Sequence, residues 1–98
     1  MRPASIRILG KKFSVAFTTS EPLKEDLNGE CDTDQQRILV RDGMPLEGEQ
    51  DVLLHECLHA IDEMVDSELT ESQVKRLATG LLAVLKDNPR FISYLRKR

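Results

Sequence analysis

Ninety-eight residues, 40% of them apolar and 32% charged, suffice for one hydrophobic core, so a single domain spanning 1–98 is expected. A net charge of −3 and an isoelectric point near 5.4 exclude the electrostatic footprint of a nucleic-acid binder, and the one basic run, Arg96-Lys97-Arg98, reads as a solvated end. No apolar stretch of about 18 residues and no signal-peptide pattern occur, so the expectation is a cytoplasmic protein with no membrane partner.

Along the N-terminal third, Ile6 and Ile8, then Phe13, Val15 and Phe17, alternate with more polar residues, which predicts two strands joined by a tight turn at Gly10-Lys11. Ser20-Glu21-Pro22 can open a short helical turn, with Leu23 and Leu27 on one side of it. Asn28-Gly29 marks a turn, and Cys31 follows in a strand or loop. Arg37-Ile38-Leu39-Val40-Arg41 is a strong β run stopped by Asp42-Gly43. The spacing then predicts a connection over 45–48 and a helix over 49–66, with Glu47, Glu49 and Asp51 near its start where carboxylates suit the dipole.

A second helix is signalled from Glu71. Thr70 and Gln73 form a capping box, and Leu69 and Val74 occupy the positions of a hydrophobic staple. Val74, Ala78, Leu81 and Leu85 recur at helical spacing, widened by Leu77 and Leu82. Asn88-Pro89 ends that helix, because the residue before proline avoids the α region, and Pro89 can begin a short terminal helix. Gly80 sits in the helix interior with no evident reason.

Both histidines of the chain lie in His55-Glu56-Cys57-Leu58-His59. Histidines four apart share a helix face, so their ring nitrogens can converge on one zinc ion while the intervening glutamate stands beside it. At about 100° per residue, Leu54, Cys57, Ile61, Met64 and Val65 form the apolar side, and His55, His59, Asp62 and Asp66 a stripe roughly opposite. The same stripe would suit a plain solvated face. Cys57 is turned away from the histidines and reads as a buried thiol. A bridge to Cys31 stays open.

Two histidines leave a catalytic zinc site one ligand short, and a carboxylate is a common third. Glu71 lies at the centre of the second helix's apolar arc, one turn before Val74, so packing that arc on the motif helix turns Glu71 inward. Its other reading is a first-turn acid placed for the dipole. Glu68, Asp66 and Asp62 are the rival ligands. Asp62 lies about 4.5 Å further along the axis than His59, which suits it better to a supporting role.

The order strand, His55-Glu56-x-x-His59, short loop, acid-led helix resembles the minimal zincin metallopeptidases, in particular small phage- and prophage-type proteins of the ImmA/IrrE group. The likeness covers roughly 29–85 and is strongest in Leu53-Leu54-His55-Glu56-Cys57-Leu58-His59-Ala60-Ile61 and in Glu71-x-x-Val74-x-x-Leu77-Ala78-x-x-Leu81-Leu82. Val74-Lys75 stands where that group often has Ala-Asn. The resemblance implies an α+β fold, a small antiparallel-type sheet of about three strands packed on two main helices plus a short C-terminal helix. It also implies His55, His59 and Glu71 as ligands of one zinc and Glu56 as the catalytic acid/base.

The expected reaction is peptide-bond hydrolysis. Zinc lowers the pKa of its bound water to around 7, and Glu56 takes that proton and later delivers it to the leaving amine. Tyr94 or an arginine is a candidate to hold the oxyanion, and the 37–41 strand a candidate to pair with an extended peptide or protein substrate. Two other readings remain: a non-catalytic zincin-shaped binding module of phage or prophage origin, and a metal-dependent hydrolase of non-peptide substrates.

Overall fold

The alternating N-terminal runs pair antiparallel as β1 (Ser5–Ile8) and β2 (Lys11–Thr18) in a computed structural model that describes residues 1–19, 23–24 and 26–98. The turn between them is Leu9-Gly10, one residue earlier than the sequence suggests, with φ of 50° and 82°. Two successive left-handed residues make the tight turn whose twist matches that of the strands. Glycine takes that conformation freely, whereas Leu9 tolerates it with its side chain 60% exposed. The helical turn expected at Ser20-Glu21-Pro22 lies outside the described residues.

Two further strands follow, β3 (Gly29–Asp32) and β4 (Arg37–Arg41). Asp32 Oδ1 accepts from the Gln35 amide at 3.0 Å inside the turn that joins them. The sheet order is β1-β2-β4-β3, with β2 and β4 parallel and the other two pairs antiparallel. The α+β class is as expected, but the sheet has four strands rather than about three, and its central pair is parallel. The added strand is β3, which sequence left between strand and loop because Gly29-Glu30-Cys31-Asp32 has weak strand propensity. Pairing to β4 supplies what propensity lacks.

Consequently β4 is bonded on both sides and cannot accept a further strand. The peptide-pairing role expected for 37–41 therefore fails, and the edge beside the helices belongs to β3. Arg41 ties the preceding segment to that edge: its guanidinium donates to the carbonyls of Leu27 at 2.9 Å and Lys24 at 2.7 Å.

One face of the sheet carries the core, with Ile8, Phe13, Val15, Ile38 and Val40 packed around Ala60 of α1 (Leu46–Val65). This helix lies against β3 and β4 and touches β1, α2 (Glu71–Asp87) packs on α1, and α3 (Pro89–Leu95) packs on α2. α1 begins three residues before the expected start. Pro45 at its N-cap has the φ of −55° that helix entry needs, and Gly48 is simply carried within the first turn. Glu49 there is buried and paired with Arg2, which also reaches Asp42 and lies 4.2 Å over the Phe17 ring. That cluster anchors the N-terminus against the helix start.

The buried face of α1 is also rotated from the expected one. Glu49, Glu56 and Ala60 are its buried residues, with Leu53, Cys57 and Met64 packed beside them, while Ile61 and Val65 are exposed. A hydrophobicity count centres the arc on Leu54 and Ile61. The placement of β3 draws the arc toward Glu56 instead.

Candidate metal centre

His55 and His59 project from one side of α1, half-buried, toward the start of α2. The capping box forms as the sequence demands: the Gln73 amide donates to Thr70 Oγ1 at 3.1 Å and the Thr70 amide to Gln73 Oε1 at 2.8 Å. This fixes Glu71 as the first residue of α2, and burial of Val74 and Ala78 sets the helix's rotation. Glu71 then reaches both histidines, with Oε1 2.7 Å from His55 Nε2 and Oε2 2.8 Å from His59 Nε2. The two Nε2 atoms are 3.0 Å apart and the rings meet edge to face.

Each Nε2 can donate or accept depending on its tautomer, so the three groups can be held together by ring N–H donation to the Glu71 carboxylate or by a cation between them. The donor set suits the cation. Two imidazoles and a carboxylate are a catalytic zinc set, and bonds of about 2.0–2.1 Å in a tetrahedron put ligand atoms roughly 3.3 Å apart, close to the separations here. Among the described residues this trio is the one group of three such side chains close enough to share an ion.

No protein-family model matches this chain, nor does any curated protein or solved structure. The reading of the site therefore rests on its own geometry.

The rival ligands are elsewhere employed or too far away. Asp62 Oδ1 accepts from Ser67 Oγ and from the Leu69 amide at 2.9 Å, so it braces the loop between the helices. Those hydrogen bonds hold its carboxyl below the ordinary value. Asp66 caps α1 in the left-handed conformation, and Glu68 also has positive φ. Both border the cleft without joining the trio. Tyr94 on α3 is 68% exposed and lines neither depression at the site, which removes it as an oxyanion partner.

Glu56 is only 6% exposed. Burial first, and then the nearby Glu71 and Glu30 carboxylates, push its carboxyl up to about 7. Gly29 makes room for it. A Cβ on Gly29 would lie 2.6 Å from Val52 Cγ1 and 2.9 Å from Glu56 Oε2, closer than atoms pack. The sequence offered Gly29 only as part of a turn signal, and nothing local announced that a helix would cross it.

Two depressions flank the trio. One, of about 740 Å³, runs between Glu30 and Cys31 of β3 and the C-terminal half of α1. The other, of about 510 Å³, lies toward the N-terminal half of α1 and includes Lys75 of α2. His55, Glu56, Gly29 and Glu71 border both, so the trio sits midway along a groove walled on one side by residues 26–31. Cys31 and Cys57 are free thiols, so the bridge left open by sequence is not made.

Proposed function

We propose that this chain is a zinc-dependent metallopeptidase, with His55, His59 and Glu71 holding one zinc ion and Glu56 as general base. The observation that carries the reading is the meeting of two Nε2 atoms and one carboxylate within 3.0 Å of one another in an open groove. Zinc in such a set supplies Lewis acidity toward a carbonyl and toward water. The rest falls to the chain's own groups. Glu56, sheltered from bulk water, takes a proton from the attacking water and hands it to the leaving amine, a role suited to a carboxyl whose affinity for protons lies near neutrality. The outer edge of β3, which pairs with no other strand among the described residues, offers backbone donors and acceptors along which an extended peptide can align, with its scissile bond carried across the trio.

The test is hydrolysis of an unfolded protein or a random peptide library by the zinc-loaded chain. Glu56→Gln should retain zinc and lose about 10²-fold or more of the rate. Full retention of activity in Glu56→Gln overturns the assignment of the base. A zinc-loaded wild type that cleaves no peptide favours the binding-module reading.

A further inference from the structure

α2 leaves an apolar strip uncovered. Leu77, Leu81 and Val84 are 46%, 39% and 44% exposed, and at about 100° per residue they lie with Gly80 along one flank of the helix, beside the face that packs on α1. Among the described residues only α1 and α3 touch α2. α3 buries none of its own residues and adds Phe91, Tyr94 and Leu95 to the exposed apolar surface. Doubled across a two-fold, these six side chains expose on the order of 1,000 Å², near the ~1,200 Å² at which specific interfaces begin.

Gly80 is an independent observation on the same flank. Glycine inside a helix is destabilising relative to alanine, and a Cβ at this position meets nothing within 4 Å. Nothing within one chain therefore requires it. A glycine among exposed leucines does suit the close approach of a second helix, whose distance is set by the side chains at the contact.

The strip is complementary to itself. Let two copies of α2 run antiparallel about a two-fold axis between residues 80 and 81, so that positions equally far from the axis stand at the same height. Leu81 of each copy then falls over the open space at Gly80 of the other, and Leu77 of each meets Val84 of the other. The charges agree with this direction. Residues 62–71 hold five acids and no lysine or arginine, whereas 75–98 hold seven cations and one acid. None of those cations has an ion-pair partner among the described residues. Antiparallel pairing brings the basic end of one copy to the acidic end of the other, and parallel pairing would oppose like ends.

We infer that the chain forms a homodimer through the exposed flank of α2 and α3, antiparallel about Gly80 and Leu81. Such an interface is isologous, each copy giving the same patch. Glu71 faces the histidines from another side of α2 and stays outside the pairing surface. The basic end of the second copy comes instead to the loop holding Asp66 and Glu68, at the rim of the groove. The inference does not depend on the metal centre.

Sedimentation equilibrium of the full chain, from about 5 to 500 µM, should show the mass rising from 11.1 kDa toward twice that, less readily as salt is added. Leu81→Glu should weaken association at least tenfold, since the change occurs twice per dimer. Gly80→Leu should do the same while raising the Tm of dilute protein through helix propensity, a combination that a misfolded variant does not give. Register is read by disulfide trapping in a Cys31→Ala, Cys57→Ala background. Leu77→Cys mixed with Val84→Cys should cross-link one of each, and neither variant should cross-link efficiently to itself. A chain that stays monomeric throughout, association unchanged in Leu81→Glu, or self-cross-linking of each cysteine variant overturns the inference. A monomer that sediments with anionic phospholipid vesicles also overturns it, and assigns the face to a lipid surface.

Discussion

The Leu69 amide donates to Asp62 Oδ1 at 2.9 Å across the loop between α1 and α2. That bond, with the one from Ser67 Oγ, sets where α2 begins and hence where Glu71 stands. Asp62→Ala is expected to weaken zinc binding about 10–100-fold, the range typical for groups that orient a ligand, without abolishing it. Asp62→Asn, which keeps an acceptor, should restore most of the affinity, as read by competition with a chromogenic chelator. The pH sense follows from the depressed carboxyl: its stabilisation is complete above the ordinary aspartate value of 3.8 and is lost as pH falls through the lower folded value. Acid unfolding of wild type should therefore be steeper than that of Asp62→Asn.

Gly29→Ala should destabilise the chain by about 1–3 kcal/mol, the usual range for overpacking, because its Cβ meets Val52 and Glu56. Adding Val52→Ala should recover part of the loss. Urea midpoints of the single and double variants check this, and additive losses would show that the contact is absent.

Gly80→Ala should act in the opposite direction. A Cβ there meets nothing within 4 Å, and the position is inside α2. The expected gain is about 0.5–1 kcal/mol from helix propensity alone, or a few degrees in Tm. Nothing within a single chain explains why glycine occupies it.

The Cys31 thiol, half-buried beside Glu56, is pushed up to about 12, by burial first and then by nearby negative charge. At pH 8 only about one part in ten thousand is thiolate, so alkylation of Cys31 in the folded protein should be far slower than in urea. Since the unfolded thiol ionises at its ordinary value of 9.0, stability should fall as pH rises from there toward 12. Peptide mapping after a timed pulse of iodoacetamide reads the first, and urea midpoints at pH 8 and pH 10.5 read the second.

The candidate site was more legible in the sequence than the sheet around it, because its determinants are local. His55 and His59 share a helix face by spacing alone, and Thr70 with Gln73 fixed the first residue of α2 through bonds only three residues apart. Glu71 was one of four acids that the sequence left open, and the packing of α2 on α1 is what brings its carboxylate to both histidines. What eluded the sequence depends on long-range contact. β3 exists because β4 pairs with it, α1 gains its first turn beside an arginine 47 residues earlier, and Gly29 matters only because α1 crosses it. Asp62 fell between the two cases: its stripe on α1 was evident, but its partners lie in a loop whose path no local rule sets.

Metal content of the purified protein, by mass spectrometry on wild type, His55→Ala, Glu56→Gln and Glu71→Ala, tests the centre of this reading most directly. One zinc per chain is expected in wild type and Glu56→Gln, and loss in the other two. Zinc retained in Glu71→Ala would contradict the third ligand. Wild type that takes up no zinc after chelator-free purification and zinc reconstitution would contradict the metal centre itself.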